Sequence, residues 1–157
     1  MRDAVYHNPS RFDDWTGLLS LLNKSFAFME GRIDPPSSLL QMTVDDLQDK
    51  ARQEDLFLVL RHGAPVACLF GQPKGDHYYI GKLAVDTAAR QTGLARALVD
   101  AAAQEAVRRG ARGLELQTRV QLRGNHRAFR AMGFKLVGAS AHDGYEKATS
   151  FIFRRSL

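Results

Sequence analysis

Leu83-Ala84-Val85-Asp86-Thr87-Ala88-Ala89-Arg90-Gln91-Thr92-Gly93-Leu94-Ala95-Arg96-Ala97-Leu98 passes from an apolar strand end, through a short loop, into the start of a long helix. A helix start presents backbone N–H groups without intrahelical partners and the positive end of the helix dipole. Such a terminus binds phosphate readily. Gly93 lets an anion approach the backbone closely, Ala95 keeps the next turn small, and Arg90 and Arg96 place positive charge at either edge. The segment is not a nucleotide-triphosphate loop, because Gly93 is not followed by Lys-Ser or Lys-Thr and the upstream glycine is missing. It is not the Gly-x-Gly-x-x-Gly dinucleotide pattern either. A plainer reading stays open on these residues alone: a glycine required by a tight strand-to-helix turn.

Working outward, Leu94, Leu98, Ala101, Ala102 and Ala106 mark one face of an alanine-rich helix that Gly110 can end. A strand over 113–120 follows. Strand, helix and strand in succession predict a right-handed crossover and hence a parallel pair. Upstream, Asp55 to Arg61, Ala64 to Gly71 and His77 to Val85 read as an antiparallel meander with turns at His62-Gly63 and Pro73-Lys74-Gly75-Asp76. Before it, Trp15, Leu18, Leu19, Leu22 and Phe26 predict an amphipathic helix over 11–29 capped by Ser10. Asp34-Pro35-Pro36 breaks the chain, and Thr43 with Asp46 forms a capping-box pattern opening a second helix to about Arg52. Downstream come a short helix over 125–132 and strands over 134–141 and 148–155. The fold class predicted is α/β: a mixed, mainly antiparallel twisted sheet of about six to seven strands flanked by about four helices, in a single domain over 1–157.

The chain has 157 residues, 45% hydrophobic and 25% charged, within the range of one globular domain. No stretch approaches the ~18 apolar residues of a membrane span, and the first residues lack the apolar run of a signal peptide, so a cytoplasmic protein with no membrane partner is expected. The single cysteine, Cys68, alternates with Val66 and Phe70 and reads as a buried, inert thiol; neither a disulfide framework nor a cysteine zinc cluster is available, and no metal site is expected. A net charge of +5 and a pI near 9.7 suit a polyanionic partner, either nucleic acid or a phosphate-rich cofactor.

The spacing of Arg90, Gly93 and Ala95, the preceding Leu83-Ala84-Val85 strand end and the order of elements resemble the GNAT superfamily of N-acetyltransferases. Asn125-His126-Arg127-Ala128-Phe129-Arg130-Ala131-Met132-Gly133-Phe134 is similar to the family's Asn, helix and Gly-Phe segment, and His142-Asp143-Gly144-Tyr145 with Thr149 resembles a pattern of one subgroup. The resemblance implies acetyl-coenzyme A as cosubstrate. The strand end Leu83, Ala84 and Val85 would hold the pantetheine, with the backbones of Leu83 and Val85 acting like an added strand. Arg90, Gln91, Thr92, Gly93, Leu94, Ala95 and Arg96 would wrap the pyrophosphate, and Asn125 and Phe129 would flank the arm. Basic residues near a 3′-phosphate would give the +5 charge a purpose without nucleic acid. The family is often dimeric, and the final strand, Ser150 to Phe153, is the candidate to pair across a two-fold axis in a homodimer.

Direct acetyl transfer to a primary amine of a small molecule or protein needs a neutral amine, an oriented thioester, an oxyanion donor and release of the thiolate. The N–H of Val85 is the candidate donor. Where relatives often carry a tyrosine to protonate the thiolate, this chain has Phe129; with a thiol pKa of about 8.5 the missing proton is worth roughly 2 kcal/mol at pH 7. Water or Tyr145 is the substitute. A lysine-like acceptor of pKa about 10.4 is neutral about once in 2500 molecules at pH 7, a cost of roughly 4 to 5 kcal/mol, so the base matters more. Glu115, His142, Asp86 and Glu30 are candidates, each with a plainer reading as strand-face, turn, loop-cap or helix-end charge. Tyr78 and Tyr79 project to opposite faces of one strand, with packing the plainer role for both. Phe26, Phe28 and Met29 with the Pro35-Pro36 break make 26–42 the expected acceptor-specificity region. Two further classes stay open: a catalytically degenerate domain that binds acetyl-coenzyme A as a sensor or interaction module, suggested by Phe129, and a nucleic-acid-binding protein, suggested by charge.

Overall fold

The computed structural model describes residues 3–29 and 31–157, with the side chains of Phe28, Ser38 and Leu40 outside that description. The strands are β1 (Tyr6–His7), β2 (Asp55–Arg61), β3 (Ala64–Lys74), β4 (His77–Val85), β5 (Gly113–Arg119), β6 (Lys135–Ser140) and β7 (Ser150–Ser156). The helices are α1 (Trp15–Phe26), α2 (Val44–Gln53), α3 (Leu94–Arg108) and α4 (Arg123–Ala131). One sheet takes the order β1-β2-β3-β4-β5-β7-β6. Its pairs are antiparallel except β4 with β5, the parallel pair that the strand-helix-strand succession predicts. Among the described residues no helix is long and apolar enough to cross a membrane.

Helix α1 starts later than expected, because Asp14 rather than Ser10 is its cap: Asp14 Oδ1 accepts from the Gly17 N–H at 3.0 Å. Aspartate caps as well as serine, and it stands directly before the first helical residue. The helix ends at Phe26 and Ala27–Met29 tightens into a 3-10 turn. Thr43 and Asp46 form the expected capping box reciprocally, at 2.9 and 3.1 Å. Pro73 and Lys74 belong to β3, paired with Tyr78 and His77, so the second hairpin turn shrinks to Gly75-Asp76. The two-residue β1 carries no periodicity and was not foreseen.

The final strand does not offer a dimer edge. Strand β7 lies between β5 and β6, with Ser150 and Phe153 buried and both its edges paired, so the expected two-fold pairing through Ser150 to Phe153 is ruled out by topology.

Two apolar layers cover the sheet. On one face Leu94, Leu98, Val99, Ala102 and Ala106 of α3 pack on Val59, Leu69, Ile80, Leu114, Leu116 and Phe153. On the other, Leu18 and Leu22 of α1 and Leu47 of α2 pack on Leu56, Leu58, Cys68 and Phe70. Cys68 is fully buried and burial pushes its thiol up to about 12, as suits an inert packing residue. Because strand side chains alternate, Leu114 and Leu116 face α3 while Glu115, Gln117 and Arg119 face the α1 and α2 side.

Beneath α3 lies a buried ionic cluster. The Tyr78 hydroxyl donates to Asp55 Oδ2 at 2.5 Å, Arg109 Nη2 donates to the same oxygen at 2.8 Å, and Glu105 accepts from Arg108 and Arg109. Arg108, then Arg109, hold the Glu105 carboxyl down to about 2, against an ordinary value of 4.5. A folded-state value below the unfolded one means the stabilisation is complete above pH 4.5 and is lost as the pH falls toward 2. Urea midpoints should therefore decline through that window, and Glu105→Gln should flatten the decline.

Candidate active site

Strands β4 and β5 are paired only from His77 with Gly113 to Tyr79 with Glu115. Beyond that point β4 bulges: Phe70 lies opposite Gly81 and Cys68 opposite Ala84, which leaves two residues of β4, Lys82 and Leu83, against one of β3. Lys82 takes the left-handed region, at φ 54°. A bulge bends its strand and increases the local twist, and here β4 and β5 part to leave a cleft of about 440 Å³. Gly81, Lys82 and Leu83 line one wall, and Leu116, Gln117, Thr118 and Arg119 the other. Leu122, Asn125 and Phe129 enter from the α4 side, and Phe26, Met29, Ser37 and Met42 from the expected specificity segment.

The open edge of β4 is polar. The Asp86 N–H donates to Val66 O at 2.8 Å, and Ala84 pairs with Cys68 in the same register. Alternation then turns the backbone groups of Leu83 and Val85 away from β3, to the edge that β5 has left. Ala84 thus differs from its two neighbours: its backbone belongs to β3. Ser25 Oγ donates to Val85 O at 3.4 Å, leaving the Val85 N–H directed to that edge.

This edge runs into the helix start. Asp86 Oδ1 accepts from the Ala88 N–H at 2.9 Å and shapes a 3-10 turn over Thr87–Ala89, the plainer cap role foreseen for it. Gln91 and Gly93 both adopt left-handed backbone, at φ 64° and 81°. No side chain caps α3 at Gly93, and a Cβ there would meet nothing within 4 Å. The first-turn N–H groups of Leu94, Ala95 and Arg96 therefore have neither an intrahelical partner nor a capping side chain among the described residues. Thr92 donates its hydroxyl to Ala89 O, and Arg96 Nη2 donates to Ala131 O at 3.1 Å, tying α3 to the end of α4. Arg90 is exposed.

Of the other singled-out residues, Asn125 and Phe129 line the cleft, Phe129 also meeting Phe134 edge-to-face at 5.9 Å. His142 lines it too, with its backbone N–H and Nδ1 both on Thr149 Oγ1. Glu115 does not: its carboxylate is taken up by Lys74 at 2.8 Å and Arg154 at 2.9 Å. Burial alone would raise its pKa, but these two cations hold it below the usual glutamate range. Tyr145 lies outside the lining and donates to Asp34 Oδ1 at 2.6 Å, which raises its pKa. Tyr78 is core, whereas Tyr79 reaches the cleft. Glu30 and the side chain of Phe28 lie outside the described residues.

Sequence reasoning passed over Lys82, Gln117, Thr118 and Arg119. Lys82 carried one signal, a charge between Gly81 and Leu83 in an otherwise apolar strand; the bulge that brings it to the cleft has no sequence mark. Burial, reinforced by repulsion from Lys50, keeps the Lys82 ammonium below the usual lysine range. Thr118 Oγ1 is a buried side-chain oxygen without a hydrogen-bond partner among the described residues.

The family model described as Acetyltransferase (GNAT) family matches residues 15–134. The chain belongs to the GNAT acetyltransferase family. No curated protein matches it in sequence. Among solved structures, the PaiA N-acetyltransferase from Thermoplasma acidophilum, in complex with coenzyme A, is similar with a TM-score of 0.78 at 11% identity, covering 98% of this chain and 99% of that one. An acetyltransferase of the GNAT family from Staphylococcus aureus Mu50 gives 0.74 at 14% identity, covering 98% and 99%. The ribosomal-protein-S18-alanine N-acetyltransferase from Escherichia coli gives 0.68 at 16% identity, covering 99% and 94%. At these identities the likeness is one of fold. The GNAT match spans the uncapped helix start and most of the cleft, and stops at Phe134, before His142 and Tyr145.

Proposed function

We propose that this GNAT domain transfers an acetyl group from acetyl-coenzyme A directly to a primary amine. The observation that carries the reading is the continuity of an unpaired β4 edge with an uncapped helix start. The first suits the amide-rich pantetheine as an added strand, and the second suits the pyrophosphate. Val85 N–H is the donor to the oxyanion formed when the amine nitrogen attacks the thioester carbon. Thr118, buried and without a hydrogen-bond partner among the described residues, supplies a hydroxyl on the α3 face of the cleft.

Among the four candidate bases, His142 is the described one that lines the cleft. Imidazole is the side chain suited to take a proton near neutral pH, and Thr149 fixes its ring through Nδ1, leaving Nε2 for the acceptor amine. With Glu115 and Tyr145 both engaged elsewhere, the departing thiolate takes its proton from water. Phe129→Tyr should then raise kcat: roughly 2 kcal/mol of driving force, half of it expressed in the transition state, gives about 5-fold. Steady-state kinetics with acetyl-coenzyme A affinity unchanged would bear this out.

The test of the function is release of free thiol from acetyl-coenzyme A with a panel of amines, followed by mass spectrometry of the acetylated product. Amine-dependent release is expected. Tight acetyl-coenzyme A binding with no turnover on any amine would favour a sensor domain instead.

A further inference from the structure

The charges lining the cleft are one-sided. Among the described lining residues Lys50, Lys82 and Arg119 are cationic and none is acidic. Lys50 is balanced, its Nζ lying 2.7 Å from Glu54 Oε2. Arg119 Nη1 donates to Pro35 O at 2.9 Å and Nη2 to Pro36 O at 3.5 Å, neutral carbonyls that position the guanidinium without cancelling its charge. Lys82 has no carboxylate within ion-pair distance among the described residues, and Glu54, the acid that bears on it, is already held by Lys50. Among the described residues neither Lys82 nor Arg119 has a carboxylate within ion-pair distance, and Asp34, the acid that bears on Arg119, already accepts from Tyr145.

Their position separates them from the phosphate cradle. Arg119 stands on the α1 and α2 side of β5, opposite the face that packs α3. Lys82 sits among Lys50, Glu54, Cys68 and Arg119 on that same side. A phosphate at Gly93 therefore leaves both unsatisfied. A partly buried cation without a counter-ion is costly, and a bound anion removes that cost.

We propose that the acceptor carries a carboxylate beside its primary amine, and that Lys82 and Arg119 bind this carboxylate. Arg119, fixed by Pro35 and Pro36, offers a planar fork suited to a carboxylate, and Lys82 offers a point charge from the bulge. Two cations at this subsite disfavour an acceptor ammonium and favour the neutral amine that attacks. The pairing also explains why β4 places a lysine at its bulge. This assignment rests on the acetyl-transfer reading.

The experiment compares kcat/KM for α-amino acids and 4-aminobutyrate with that for their carboxamides, in the wild type, Lys82→Met and Lys82→Arg. The wild type should prefer the best acid over its carboxamide by about 100-fold, the scale of one charge-assisted contact pair. Lys82→Met should erase most of that ratio through KM, with acetyl-coenzyme A affinity by calorimetry unchanged, and Lys82→Arg should retain it. Carboxamides used as well as acids, with acetyl-coenzyme A still bound, would overturn the carboxylate subsite and leave acetyl transfer standing. Should no amine turn over, N-acetylglycine and its carboxamide are titrated into the coenzyme A-saturated protein. Acid-selective binding lost in Lys82→Met supports the subsite, and equal or absent binding overturns it.

Discussion

Gly93→Glu should abolish detectable acetyl-coenzyme A binding while the fold survives. The new carboxylate would stand over the first turn of α3, in space where a Cβ meets nothing within 4 Å. A like charge about 5 Å from the pyrophosphate, at an effective dielectric of about 20, costs roughly 3 kcal/mol, or at least about 100-fold in affinity. Backbone strain adds to the effect on stability, because Gly93 sits at φ 81° and a side chain there costs roughly 1 to 2 kcal/mol. Gly93→Ala separates the two contributions. It carries the strain without the charge and should lose less than about 10-fold in affinity. Calorimetry with circular dichroism on both variants reads the difference, and equal affinity in wild type and Gly93→Glu would remove the pyrophosphate from this site.

A loss of stability is expected at Asp55, which does not line the cleft. Asp55→Ala should destabilise the protein by about 3 to 5 kcal/mol, since Asp55 is buried and receives hydrogen bonds from Tyr78, Asn8 and Arg109. Burial alone would raise the Asp55 carboxyl, but Tyr78, Asn8, His7 and Arg109 together hold it below the usual aspartate range. Removing it strands the Tyr78 hydroxyl and deprives Arg109 of one of its two carboxylates. For a chain of this size the melting temperature should fall by roughly 10 °C. Acetyl-coenzyme A affinity at low temperature should not change. A loss under about 1 kcal/mol would show that the cluster contributes little.

Much of this architecture was legible in the sequence, because the elements that build it are locally consistent. The Thr43 and Asp46 box, the meander and the strand-helix-strand crossover each carry their own pattern. Gly93 was legible because left-handed backbone at a helix start favours glycine. The final strand was misjudged for a physical reason: β-pairing order is set by crossovers, and nothing within residues 150–153 tells whether the strand is internal or at an edge. The cleft wall was missed because a bulge at Lys82 and the parting of β4 from β5 are tertiary events. Glu115 illustrates the same limit. Its residue type suits a base, but Lys74 and Arg154, distant in sequence, already hold it.

Acetyl transfer by this domain requires the β4 edge and the start of α3 to hold acetyl-coenzyme A together. Calorimetric titration of the purified protein with acetyl-coenzyme A, with ATP and NADH as phosphate-bearing controls, measures this binding. Saturable binding of acetyl-coenzyme A at one site per chain, with ATP and NADH far weaker, is the predicted result. Absence of acetyl-coenzyme A binding, or equal binding of all three, would contradict it.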